Sequence, residues 1–385
     1  MDHTFDVIVV GAGYIGSSIA YHLCAAGLKT ALFDQGSFAA GASRANYGNI
    51  QIQDTELSKS IEMISLARTR FATLEQDLDW KVGLRKIGGL LPIENENQWE
   101  ILKARMKAVN AAGISAELIP PEQLREVEPL IDPRGLLGCL YHASEGQVDP
   151  FQLIWGYLVR ARQRGLKEFY YHEMIGFNVQ NGRLVGIETP QGSYFSGSVV
   201  LCTGAQTRQL GQLLGRDWNV HYVLAQAMVS EPIDQVLHNH IASASFFEQS
   251  DQLPKGTLLA NMAISQSGHG HLLLGEAMYE ADHFQRHIPS QSVPSISTSV
   301  LRFFPTFNRL RVLRSWSAPV ADTLDGCPLL GPVEGYPGLF IATAFRSTVI
   351  ITPLVGETIA QLITQGTSEL DIQHFLPERN TNHAN

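Results

Sequence analysis

At 385 residues, 44% of them apolar and 17% charged, the chain has a globular composition and enough length for two domains or one large composite body. Its net charge of -9 without a basic tract excludes nucleic acid as an expected partner, and no apolar run reaches the length that crosses a bilayer. Cys24, Cys139, Cys202 and Cys327 are far apart and never form C-x-x-C, which argues against a disulfide framework or an iron–sulfur cluster on this chain; with no signal-peptide pattern at the start, a cytoplasmic setting is expected.

Val7 to Val10 is a continuous apolar run, as in a strand covered on both faces. GAGYIG follows at once, placing Gly11, Gly13 and Gly16 in G-x-G-x-x-G spacing. Gly11 permits the turn, Gly13 leaves room for a pyrophosphate against the backbone, and Gly16 lets the next helix pack close. That helix, Ile15 to about Ala26, aims its N-terminal amides at the phosphates and ends at Gly27. Thr30 to Phe33 is a second strand. Asp34 at its end can accept hydrogen bonds from ribose hydroxyls. A lone glycine fingerprint is weak, but strand, turn, helix and acid together predict a dinucleotide site.

The loop at 36–48 is crowded with small residues, and Gly41, Ser43, Asn46 and Gly48 could offer amide, hydroxyl and carboxamide groups to a ligand; a plain surface loop is the alternative. Residues 55–79 predict a long helix, Ile87 to Ile93 a strand, and Trp99, Leu102, Met106 and Val109 an amphipathic helix. PPEQLREVEP opens a short helix with Pro121 near its start. Asp149-Pro150 caps a helix over 150–164 that Gly165 closes. Asn181-Gly182 and Gln191-Gly192 signal turns between strands, and Ser198 to Thr203 is a buried strand followed by Gly204 and a helix. Residues 218–320 read as a β-rich layer, with Val220 to Ser230, Leu272 to Gly275 and Val312 to Ser317 as strands and Ile296 to Phe304 as a helix. Leu339 to Thr343 is a buried strand, Pro353 begins a last helix, and the tail after Pro377 is polar and expected to fray. His269 and His271, in SGHGHLLLG, read as a turn rather than a metal or acid–base pair, and no metal site is expected.

Three blocks agree: GAGYIG with Asp34, VVLCTGA at 199–205, and PLLGPVEGYPGLFIATAFRSTVIITPLVGE at 328–357. Together they resemble the D-amino-acid oxidase family of FAD enzymes, with glycine oxidase and sarcosine oxidase among the nearer members. Within it, the AFRST…TPLVGE ending and the SRANYGN loop look most like the FAD (beta-type) subunits of multi-subunit dehydrogenases such as opine oxidases, D-hydroxyproline dehydrogenase and hydrogen cyanide synthase.

The resemblance implies an α/β fold, with a doubly wound, Rossmann-like FAD domain interleaved with a mixed, mainly antiparallel α+β substrate domain. The implied boundaries are 1–84, 147–217 and 321–376 for the FAD domain, 85–146 and 218–320 for the substrate domain, and 377–385 for a tail. It also implies that Gly11, Gly13 and Gly16 cradle the pyrophosphate and that Asp34 holds the adenosine ribose. Ser43 and Asn46 would lie along the run from phosphates to flavin. Ile175 would meet adenine through its backbone, and Thr203 and Gly204 would close over the nucleotide. The loop Phe345 to Ile351, with Ser347, Thr348 and Val349, would border the isoalloxazine ring.

Two departures from the family pattern matter. A Gly-His pair is usual where this chain has Ala344-Phe345, and a glycine where it has Thr348 and Val349; without them, backbone approach to the ring is restricted, which speaks against an unaided oxidase. Glycine oxidase also carries an Arg where this chain has Val320. Arg346 is therefore expected as the catalytic-site anchor for a substrate carboxylate, which a guanidinium grips with two parallel hydrogen bonds; a structural salt bridge is its alternative.

The expected activity is oxidation of a C–N bond in an amino acid or opine by hydride transfer to FAD, with electrons passed to a second, larger subunit that carries further redox centres. A stand-alone oxidase of glycine, sarcosine or a D-amino acid that yields peroxide is the second reading, and a non-catalytic FAD-holding subunit the third.

Overall fold

In the computed structural model, which describes residues 3–248, 256–280 and 288–379, two eight-stranded sheets are joined by a small three-stranded one. The chain opens with β1 (Thr4–Val10), α1 (Tyr14–Ala25) and β2 (Thr30–Asp34). The short β3 (Asn49–Ile50) leads into α2 (Leu57–Leu78). Next come β4 (Arg85–Lys86), β5 (Gly88–Ile93), α3 (Glu96–Ala111), β6 (Glu117–Ile119), α4 (Leu124–Val127), β7 (Gly138–His142) and β8 (Gly146–Gln147). The chain returns through α5 (Pro150–Gln163) to β9 (Lys167–Tyr170), β10 (Gly176–Gln180), β11 (Arg183–Thr189), β12 (Gly192–Leu201) and α6 (Thr207–Gln212). The long antiparallel strands follow: β13 (Val220–Pro232), β14 (Asn239–Ala242), β15 (Leu258–Gln266) and β16 (His271–Tyr279), then α7 (Ser292–Phe303) and β17 (Val312–Thr323). β18 (Leu329–Pro332), β19 (Leu339–Thr343) and α8 (Thr348–Gln365) complete the order.

The first sheet has a parallel centre, β9-β2-β1-β12, with β19 beside the second half of β12 and the β10–β11 hairpin beside its first half. Because the centre is covered on both faces, Val7 to Val10 need no polar alternation. Helices α1, α2, α5 and α8 bury one face, and Gly356 lets α8 approach α1 so closely that a Cβ would fall 2.2 Å from Ser18 Oγ. Aromatic rings fill the other face, with Phe33 stacked on Phe169 at 4.5 Å between centroids.

The second sheet runs β17-β13-β16-β15-β14-β5-β7-β6 and forms a roof. Helix α7 packs Ile296, Val300 and Phe303 onto one of its faces, against Met228, Met262, Ile264, Leu272 and Leu274. The small sheet β3-β8-β4 pins the roof side to the first sheet's loops through Gln147, which pairs with both Asn49 and Arg85.

Several expected local features have visible physical causes. Asp149 caps α5 by accepting from the Phe151 and Gln152 amides, and Asn181 (φ 52°) and Gly182 (φ 76°) make the left-handed pair of the β10–β11 turn. Two expectations need correction. The strand expected at Ser198–Thr203 begins earlier, at Gly192, and ends at Leu201, where Cys202 turns away with its amide on the Val10 carbonyl (2.8 Å). The last helix begins at Thr348, not Pro353, so Thr348 and Val349 are helical and the segment expected as a loop to Ile351 ends at Ser347. Proline early in a helix removes one backbone bond, and the apolar face of α8 is worth more than that bond. Of the tail expected to fray, residues 380–385 lie outside the described residues.

Candidate functional site

The nucleotide end is made of backbone. Gly11 sits at φ 108°, and a Cβ there would meet the Cys202 carbonyl at 2.4 Å. A Cβ on Gly16 would fall 1.8 Å from the Gly11 carbonyl, and one on Gly13 2.6 Å from Ser43 Oγ. Ser43 also accepts a hydrogen bond from the Tyr14 amide (3.2 Å), so the loop at 42–46 closes onto the glycine turn. Gly13 has no side chain to cap α1, and with the Tyr14 amide taken by Ser43, the amides of Ile15 and Gly16 have no side-chain partner among the described residues and can meet an anion. Asp34 accepts from the Ala12 and Gly36 amides, both at 2.8 Å, which leaves acceptor capacity on each carboxylate oxygen. Burial pushes its carboxyl up, and the two amide bonds counter that. The open helix start, a cradle that tolerates no side chain and an acid beside it fit the pyrophosphate and ribose of FAD.

The other expected contacts divide. Gly204, at φ 54°, follows Thr203, whose hydroxyl is 2.9 Å from that of Thr207. Gly41 and Asn46 are exposed. The Asn46 carboxamide is already engaged, accepting from the Gly48 amide (2.7 Å). Gly48 itself is explained by packing, since a Cβ would lie 2.1 Å from the Val148 carbonyl at the start of α5. Ile175 is half exposed and its amide donates to the Glu188 carbonyl (2.9 Å), so only its carbonyl remains for adenine. It lies three residues beyond His172, whose amide binds the Asp34 carbonyl, and so stays at the ribose end.

At the far end, α8 starts from a strained turn. Ala344 (φ 59°) and Ser347 (φ 50°) are both left-handed, a conformation that costs a non-glycine residue roughly 1–3 kcal/mol and clusters at functional sites. The Ser347 amide donates to Asp54 (3.2 Å), its hydroxyl also bonds Asp54, and Thr55 donates to Ser347 Oγ (2.7 Å). Beneath, Arg105 donates to the Ile52 and Thr55 carbonyls, and burial pulls its guanidinium down to about 10. Buried Glu145 accepts from the Ile52 amide (2.8 Å) and the Gln53 carboxamide (3.0 Å) and pairs with His240 (2.9 Å). The segment carrying Asp54 is thereby fixed from three sides.

The roof reaches the same loop. Trp316 Nε1 donates to the Ala45 carbonyl (3.3 Å), Ser265 donates to Asn49 (3.0 Å), and a Cβ on Gly275 would meet the Tyr47 hydroxyl at 2.1 Å. Beside that contact stands Glu276, half-buried; burial first, then the Asp54 carboxylate, pushes its carboxyl up to about 7. Burial, then Glu276, pushes the Tyr47 phenol well above its ordinary value. Glu276, Asp54 and Tyr47 were not singled out from the sequence. The one available signal is a lone acid after glycine inside an apolar strand, LLLGEAM. Arg346 is engaged: it binds Asp322 through Nη2 (2.8 Å) and Nε (3.3 Å), so the ion-pair alternative is present whatever else the guanidinium grips. His269 and His271 flank the turn at Gly270 (φ 87°), with His271 Nδ1 on the Ser230 carbonyl.

This fold and this cradle define a flavin-dependent oxidoreductase. The profile of the family described as FAD dependent oxidoreductase (DAO) matches residues 6–362, and the chain belongs to that family, with FAD as its cofactor. Among curated relatives, it is 26% identical over 381 residues to the sarcosine oxidase subunit beta of Rhodobacter capsulatus, covering 95% of this chain and 86% of the relative. It is 25% identical to the glycine oxidase of Geobacillus kaustophilus, covering 97% of each. Among solved structures, that glycine oxidase superposes with a TM-score of 0.88 at 22% identity over the full length of both chains, and the L-proline dehydrogenase of P. horikoshii with 0.87 at 21% identity over 98% of both.

Proposed function

We propose that the chain is the flavin-bearing subunit of an amino-acid or opine dehydrogenase, which oxidises a substrate C–N bond and passes the electrons to a partner subunit. The observation that carries this reading is the α8 entrance. Thr348 and Val349 open the helix where oxidase relatives are expected to have glycine, and Ala344 holds a left-handed turn that glycine would hold without strain. Similarity to a sarcosine oxidase subunit beta supports it. Bound FAD supplies the two-electron acceptor. The residues supply the rest: Gly11, Gly13, Gly16 and Asp34 hold the nucleotide, Ser347, its amide held by Asp54, turns the chain into α8, Thr348 and Val349 present the first amides of that helix to the flavin end, and the roof excludes water above it. Arg346, steadied by Asp322, receives a substrate carboxylate.

The same reading divides the chain into 1–84, 147–217 and 321–376 around the nucleotide and 85–146 with 218–320 over the substrate. In support, the strands of the first sheet fall in the former set and those of the roof in the latter, with β17 crossing the boundary.

A second reading, a stand-alone oxidase, has the end-to-end match to glycine oxidase in its favour. Purification from the native extract separates the two. The first reading expects a second polypeptide in fixed ratio through successive columns; a lone homo-oligomer that produces peroxide at full rate would replace it with the second.

A further inference from the structure

Strand β16 carries a bulge at Glu276. Gly275 pairs with Ala227 of β13 and Ala277 with Gln226, so Glu276 is an extra residue between consecutive partners. On the other edge Gly275 faces Ala263 and Ala277 faces Ala260, so β15 is out of step at the same place. Side chains alternate along a regular strand, yet Leu272, Leu274 and Ala277 all lie in the core under α7. The bulge makes that possible by changing the parity, and it leaves Gly275 and Glu276 on the opposite face, toward Tyr47 and Asp54. Re-aiming one side chain is a recurrent use of bulges beside active sites. The Tyr47 hydroxyl next to it is buried and has no hydrogen-bond partner among the described residues.

We infer that Glu276 receives the amine of the substrate: its carboxylate docks the ammonium beneath the roof and takes one of its protons. The inference rests on the reading above that the substrate is an amine. The step balances without an oxidant. An N–H bond breaks, an O–H bond forms on Glu276, and nitrogen keeps the electron pair that the subsequent C–H oxidation requires. Primary and secondary amines fit, while a quaternary ammonium has no proton to give. A carboxyl titrating near 7 suits a proton acceptor at neutral pH. Among the described residues, Asp54, from the segment after β3, and Tyr47, from the loop before it, are the titratable groups facing it. The flanking positions, Gln226 and Ala227 on β13 and Ala260 to Ala263 on β15, carry no ionisable side chain.

Two measurements on the FAD-loaded protein test this. In pH-difference infrared spectra, the wild type should show a carboxyl titrating near 7 that is absent in Glu276→Gln and that methylammonium chloride moves to lower pH. A signal that survives the substitution, or that methylammonium leaves in place, overturns the assignment. In anaerobic stopped flow, with whichever of a panel of amino acids and opines bleaches the wild-type flavin, Glu276→Gln should react about 10²-fold more slowly at pH 7. It should converge on the wild type above the amine's own pKa, where the substrate arrives neutral. An equal loss at every pH would show a packing role and overturn the inference. If no amine bleaches the wild-type flavin, the proposed function fails, and the infrared titration still decides Glu276. Should Glu276→Gln lose its flavin, Asp54→Asn serves: removing that carboxylate should lower the pH at which Glu276 titrates, and an unmoved titration counts against the site.

Discussion

The two ends of the site are held by different means. At the proposed nucleotide end the cradle is mostly backbone: Gly11, Gly13 and Gly16 leave no space for side chains, Asp34 stands beside them, and Gly13 supplies no side-chain cap to α1. At the roof end they are side chains from separate strands and loops: Asp54 holds Ser347 at the start of α8, Glu276 stands by Asp54 and Tyr47, and Arg346, next to Ser347, pairs with Asp322. Helices without a ligand-facing role contrast with both. Glu56, Asn95 and Asp149 cap α2, α3 and α5 through their own side chains, whereas neither α1 nor α8 has a side-chain cap. An uncapped start on a long buried helix is thus a mark of where a ligand belongs, although α7 shares the lack of a cap without sharing the site.

The comparison predicts effects of graded size. Gly16→Ala should be the most severe, because its Cβ would collide with a backbone carbonyl that cannot rotate away. Overpacking of this kind costs typically 1–3 kcal/mol or more, and we expect purified protein with little or no flavin absorbance. Normal flavin content in that variant would break the backbone half of the comparison. Asp34→Ala should retain the fold but weaken FAD binding at least tenfold, since each charge-assisted hydrogen bond is worth roughly 1.5–3 kcal/mol; flavin occupancy after extensive dialysis reads this out. Arg346→Lys should raise the apparent KM for a carboxylate substrate more than it lowers flavin content, because lysine keeps the charge and loses the fork.

Stability against pH sharpens the roof half. The Glu276 carboxyl is raised in the folded protein, so the stability of its protonated form is present below the unfolded value of about 4.3 and is lost as pH rises through about 7. The thermal midpoint of Glu276→Gln relative to the wild type should therefore climb between pH 5 and pH 8; a constant difference would place the carboxyl in water. Smallest of all, Asn95→Ala should cost about 0.5–2 kcal/mol of stability and leave FAD content untouched, as a helix cap far from any ligand should.

This division also explains what the sequence could reveal. Backbone approach to a ligand demands glycine at set spacing directly after a strand, so Gly11, Gly13, Gly16 and Asp34 stand out within one short stretch. Local chemistry likewise announces the Asp149-Pro150 cap and the Asn181-Gly182 turn. The roof site has no such spacing. Tyr47, Asp54 and Glu276 are brought together by strand register, and a one-residue bulge decides which face Glu276 takes. The misplaced start of α8 has the same origin, since a local rule for proline is overridden by the tertiary burial of Val349, Ile350 and Ile351.

The claim that electrons leave through a partner is tested most directly by reducing the isolated, FAD-loaded chain anaerobically with an amino acid or opine that bleaches its flavin, then admitting air. The account predicts slow reoxidation in air and rapid reoxidation by an added dye acceptor. Turnover with dioxygen alone at rates ordinary for enzymes, on the order of 1–10³ per second, would contradict it.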